Sequence, residues 1–130
     1  FLASFPEGAI TVILAALNPL DSRLGGKKIA IRVVSHPTAK TLLQKVGPLT
    51  ATSANISGEN PYSNCEDSAI ALSKGKKDIA FIDGICPNGA PSTLISWHSA
   101  CDSPAYPDID ILREGLVKKL EIQAWLKNRI

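Results

Sequence analysis

The chain has 130 residues, 45% of them hydrophobic and 20% charged, with fourteen Lys and Arg against twelve Asp and Glu for a net charge of +2. That length and balance suit one compact soluble domain with a real core, and a charge this mild neither demands nor excludes a nucleic-acid partner. The longest apolar run, Ala9 to Leu17, falls far short of the ~20 residues that a membrane span needs, so no membrane partner is expected.

In chain order, Ala9 to Leu17 (AITVILAAL) is β-branched and aliphatic and predicts a buried strand, closed by a loop with Pro19, Gly25 and Gly26. Lys28 to Val34 (KIAIRVV) predicts a second strand, ending at Ser35, His36 and Pro37. From Thr38 the residues Ala39, Leu42, Leu43 and Val46 fall at i, i+3, i+4 and i+7, one helical stripe stopped by Gly47 and Pro48. Pro48 to Thr52 predicts a short strand leading into the loop TATSANISGENP. Ser63 or Asn64 then caps a helix with Glu66 and Asp67 in its first turn and Lys74, Lys76 and Lys77 at its end, charges that favour the helix dipole. Asp78 to Asp83, Ser92 to Trp97 and Asp108 to Arg113 predict three further strands, the first two separated by a turn-rich loop. Leu116 to Ile130 predicts a closing amphipathic helix with Val117, Leu120 and Ala124 inward. The whole, residues 1–130, reads as one α/β domain with a mixed sheet.

The three cysteines, Cys65, Cys86 and Cys101, include no C-x-x-C pair and read as free thiols in a reducing compartment. His36 and His98 are not at ligand spacing, so no metal site is expected. No Walker or G-x-G-x-x-G pattern is present. Two loops share small hydroxyl residues near glycine: Thr52, Ser53, Ala54 and Asn55 after one strand, and Gly89 to Thr93 before another. Such loops donate well to phosphate or carboxylate oxygens. They also suit Asx and Ser turns, helix caps or a plain strand start.

The order of "IRVVSHP", "ATSANISGENP", "IDG", "GAPSTLI" and "ILREG" behind Thr11 resembles the YrdC-type threonylcarbamoyl-AMP synthase family over nearly the whole chain. The resemblance implies an α/β fold with an open twisted mixed sheet of the YrdC/RibB-like type and flanking helices. It implies condensation of ATP, L-threonine and bicarbonate, with Mg²⁺ on the ATP, to threonylcarbamoyl-AMP and pyrophosphate in the cytoplasm. A tRNA threonylcarbamoyl-transfer complex would then modify tRNA. Matched residue by residue, Thr11, Ser53, Asn55 and Arg113 are the nucleotide-binding residues and Ser92 the threonine-binding one, with Arg32 and Thr52 as further candidates. No side chain is assigned as acid, base or nucleophile, and His36 reads as loop support.

The chain departs from the family pattern at Pro6 to Thr11, where both prolines flanking Gly8 are replaced, at Val34, and at Asn60 to Tyr62. With no Met and Phe1 first, the sequence is expected to be a piece of a longer protein, incomplete on its N-terminal side. The family's Thr-Asp-Thr strand and Lys-x-Arg motif would lie ahead of Phe1, and the chain alone is expected to be inactive. Two alternatives stay open: a carbamoyl-transfer domain of a hydrogenase-maturation protein, and a non-catalytic module binding double-stranded RNA or tRNA through Lys27, Lys28, Arg32, Lys118 and Lys119.

Overall fold

The structure, a computed structural model, describes residues 1–73, 79–86, 89–98 and 109–128. It divides into two compact units, residues 1–45 with 90–130 and residues 46–89.

In the first unit the β-branched run forms β1 (Ile10–Ala15), followed by β2 (Lys28–Arg32). The PSTLISW stretch forms β3 (Thr93–Trp97), and β4 is Ile109–Arg113. They make one four-stranded sheet in the order β2-β1-β3-β4. β1 runs antiparallel to β2 and parallel to β3, and β3 antiparallel to β4, so the sheet is mixed as expected. Side chains alternate along each strand, which puts Ile10 and Val12 of β1 on the same face as their β3 partners Thr93 and Ile95. These residues are buried, and with Ala9, Val117 and Ile122 the apolar ones among them form the core.

Helix α1 (Pro37–Val46) starts on a proline, which is preset for the first helical position, and ends at Gly47 with φ +80°. The last helix, α3 (Lys119–Lys127), is shorter than the predicted Leu116 to Ile130. Because it starts at Lys119, its buried stripe is Ile122 with Trp125 and Leu126 partly buried, while Leu120 is 77% exposed and Ala124 is exposed too. Val117 is buried as expected, from the segment ahead of the helix. Phe1 stacks edge-on against Phe5, Trp97 and Trp125, with ring centroids 4.9–5.3 Å apart.

In the second unit, α2 (Cys65–Ser73) is capped by Asn64, whose Oδ1 accepts the Glu66 and Asp67 backbone N–H groups at 2.8 and 3.3 Å. Of the two candidate caps it is Asn64 that serves. Ser68 and Ala69 are its buried residues. The predicted strands at Pro48 to Thr52 and Asp78 to Asp83 do not form among the described residues. Extended chain becomes strand only when a neighbour closes the ladder; here Pro48 lacks a donor, and Ile79, Phe81 and Ile82 stand exposed. The pairing that does form is an isolated antiparallel bridge, Asn64 with Ile85. Lys74, Lys76, Lys77, Asp78, Cys101 and Asp108 lie outside the described residues.

Candidate functional site

The register across the first unit aligns Arg32 of β2 with Thr11 of β1, Thr11 with Leu94 of β3, and Leu94 with Arg113 of β4. Four of the chain's strands thus contribute to one row, its ends three inter-strand gaps of about 4.8 Å apart. A register shift between Leu94 and Ile95 is what sets Arg113 opposite Leu94. Thr11 is half-buried, and both arginines are exposed. Ser92, buried just ahead of β3, places its Oγ 2.7 Å from Thr11 Oγ1. Two hydroxyls that share one hydrogen bond keep one proton for a third group.

Each arginine is held by a neutral carbonyl. Arg32 Nε donates to Gly8 O and Arg113 Nη2 to Ser92 O, both at 2.9 Å. Among the described residues neither forms an ion pair. The acidic groups nearest Arg113 in sequence are engaged elsewhere: Asp110 with His98 at 2.9 Å, and Glu114 with Lys118 at 3.4 Å. Two positive charges therefore flank the hydroxyl pair with no carboxylate paired to either among the described residues, an arrangement suited to an anion.

Local backbone explains the positions. Gly8 has φ +79°, and a Cβ there would come within 2.8 Å of Ser35 Oγ, so this glycine both turns the chain and presents the carbonyl that Arg32 uses. At the other end of the row, the fully buried Thr93 Oγ1 donates to Val117 O at 2.6 Å and accepts the N–H groups of Gly115 and Val117 at 3.0 Å. That hub fixes the segment leaving Arg113. A Cβ on Gly115 would fall 2.1 Å from Pro91 O, so the segment passes too close to the Pro91 and Ser92 backbone for any side chain. Sequence reasoning named Thr93 within the Gly89 to Thr93 loop but gave it no separate role; strict alternation of Thr93, Ile95 and Trp97 against Ser92, Leu94 and Ser96 is the signal that assigns the neighbouring hydroxyls to opposite faces. Glu114, next to Arg113, is engaged by the start of the last helix. The Lys119 backbone N–H, donating at 3.0 Å, and then the Lys118 ammonium hold its carboxyl below its ordinary pKa.

Thr52, Ser53 and Asn55 belong to the second unit. Thr52 and Ser53 are exposed. Asn55 Nδ2 donates to Ile56 O and Glu59 O at 3.0 and 2.8 Å, closing a turn that needs Gly58 at φ +88°. No group of three or more His, Cys, Asp or Glu that could hold a metal ion occurs among the described residues, and none of their helices is long and apolar enough to cross a membrane.

The row of Thr11, Ser92 and the two arginines lies inside a recognised domain: the model of the Sua5/YciO/YrdC family, described as telomere recombination, matches residues 1–115, and the chain belongs to that family. The chain is 46% identical over 61 residues to a threonylcarbamoyl-AMP synthase of Pseudoalteromonas translucida (strain TAC 125), covering 45% of the chain and 32% of the relative. It is 31% identical over 102 residues to a Mycobacterium tuberculosis (strain ATCC 25618 / H37Rv) protein whose name refers to the same synthase, covering 76% of the chain and 46% of the relative. A third relative, the threonylcarbamoyl-AMP synthase of Vibrio parahaemolyticus serotype O3:K6, is 34% identical over 85 residues, 63% of the chain and 44% of the relative. The chain thus spans less than half the length of these curated relatives. No solved structure gives a significant match.

Proposed function

We propose that the protein containing this chain is an L-threonylcarbamoyladenylate synthase acting in tRNA modification. The observation that carries the reading is the row of Arg32, Thr11, Leu94 and Arg113, with two arginines unpaired among the described residues on either side of the Thr11 and Ser92 hydroxyls. Family membership and the relatives' names support it.

In this reading the threonine amine attacks bicarbonate, water leaves, and a carbamate oxygen then attacks the α-phosphorus of ATP with release of pyrophosphate. None of these steps needs a nucleophilic side chain; they need alignment and stabilisation of developing negative charge. Arg113 and Arg32 serve the nucleotide phosphates, Thr11 donates beside them, and Ser92 positions threonine. Ser53 and Asn55, with Thr52, are assigned to nucleotide binding on the family's motif alone. Mg²⁺ arrives on ATP as part of the substrate, with the nucleotide supplying its ligands. The product passes to a tRNA threonylcarbamoyl-transfer complex in the cytoplasm.

The test incubates the full-length protein with Mg²⁺-ATP, L-threonine and bicarbonate and follows threonylcarbamoyl-AMP by mass spectrometry and pyrophosphate release. Both are expected. Arg113→Ala and Arg32→Ala should each weaken nucleotide binding about tenfold or more, the worth of one charge-assisted hydrogen bond. Absence of the adenylate overturns the reading. Unchanged nucleotide affinity in both folded variants removes the row from the site.

A further inference from the structure

We propose, resting on the nucleotide role given to Arg113 above, that Thr93 is a positioning residue of the same reaction: its buried hydroxyl locks a bulge in β4 that turns Arg113 onto the face carrying the Thr11 and Ser92 hydroxyls. Along β3 and β4 the pairs Trp97 with Ile109, Ser96 with Asp110 and Ile95 with Ile111 advance one residue at a time, but the next pair is Leu94 with Arg113. Leu112 is the extra residue, and it stands 56% exposed. An unbroken antiparallel ladder would continue with Leu112 opposite Leu94 and Arg113 opposite Thr93. Alternate residues point to opposite faces, so that register would carry the Arg113 guanidinium to the face where Thr93 and Ile95 are fully buried. Leu112 would then stand in the row with Thr11. One extra residue reverses this, and bulges beside sites re-aim side chains in the same way.

A bulge must be held against the regular register, and here the chain leaving Arg113 is held by the start of β3. Thr93 Oγ1 donates to Val117 O at 2.6 Å and accepts the Gly115 and Val117 N–H groups at 3.0 Å, while the Leu116 N–H donates to Pro91 O at 3.0 Å. Slipping β4 by one residue to remove the bulge would draw Gly115 and Val117 away from the hydroxyl and break all three of its bonds. Arg113 Nη2 meets Ser92 O at 2.9 Å, and Ser92 Oγ meets Thr11 Oγ1 at 2.7 Å, so the locked register is the one that brings the arginine to the hydroxyl pair. Thr93 itself is fully buried and acts on the nucleotide only through Arg113.

The experiment measures Mg²⁺-ATP affinity of the full-length protein by calorimetric titration, with the folding of each variant checked by circular dichroism. Thr93→Val is expected to weaken binding about three- to tenfold, and Thr93→Ser, which keeps the hydroxyl, to restore it. Combined with Arg113→Ala, the Thr93→Val loss of affinity should vanish while its loss of stability persists. A purely structural role would lower stability in both backgrounds and leave the affinity of the folded protein unchanged. Should Thr93→Val not fold, Thr93→Cys, whose thiol is only a weak donor and acceptor, takes its place with a smaller loss expected. Parent affinity in the folded Thr93 variant while Arg113→Ala binds weakly overturns the proposal, as does an equal loss in Thr93→Ser or a loss that persists without Arg113. Parent affinity in Arg113→Ala overturns the nucleotide role of the arginine, and the proposal with it.

Discussion

Thr93 concentrates more of the first unit's local order in one atom than any residue singled out for chemistry. Its Oγ1 satisfies Val117 O and the N–H groups of Gly115 and Val117 in a fully buried position. Thr93→Val keeps the shape and leaves these groups unpaired, so it should destabilise the protein by about 3 kcal/mol, read as a lower denaturant midpoint at unchanged slope. Thr93→Ser retains the hydroxyl and should cost clearly less; equal losses in the two variants would assign the effect to the missing methyl instead. Gly115→Ala makes the complementary point, since its Cβ would meet Pro91 O at 2.1 Å. Backbone must move there, and a loss of about 2 kcal/mol or more is expected by the same measurement.

At the scale of elements, α3 is anchored at both its start and its inner face. Glu114 accepts the Lys119 N–H, Glu121 accepts the Lys118 N–H at 2.8 Å, and Ile122 is fully buried in the core. Ile122→Ala is expected to cost about 3 kcal/mol, through lost burial and the cavity left behind. Glu114 makes the anchor pH-dependent. Its pKa is lowered in the folded state, so its stabilisation is present above the ordinary glutamate pKa of about 4.3 and is lost as pH falls through the lower folded value. Glu114→Gln should therefore reduce stability at neutral pH and flatten the acid limb of the stability curve. A curve parallel to the parent's between pH 6 and the acid transition, as measured by thermal unfolding across pH (roughly 2 to 7), would show that the carboxylate contributes nothing.

Across the whole molecule, buried apolar residues are unevenly shared. The first unit holds Ala9, Ile10, Val12, Ile95, Val117 and Ile122, whereas the buried apolar residue described in the second is Ala69. Opening free energy follows such burial. Hydrogen exchange should accordingly be slowest in β1, β3 and α3 and faster through residues 46–89; equal protection in both units would contradict this.

What was legible in the sequence follows from local periodicity and local chemistry. Apolar run length marked β1 and β3, the i, i+3, i+4, i+7 stripe marked α1, and Ser63 or Asn64 ahead of Glu66 and Asp67 marked the start of α2, because caps, helices and buried strands are chosen by residues within a few positions of one another. The family resemblance rested on motif order, which survives without coordinates. Pairing is another matter. That 48–52 and 79–83 would form no strand, that α3 would begin late enough to turn Leu120 outward, and that Arg32, Thr11 and Arg113 would share one row depend on which strands adjoin and in what register. Strand pairing joins residues such as Thr11 and Leu94 that are far apart in the chain, and hydrogen-bond partners at that separation are selected by the packed core as a whole rather than by either segment's own sequence.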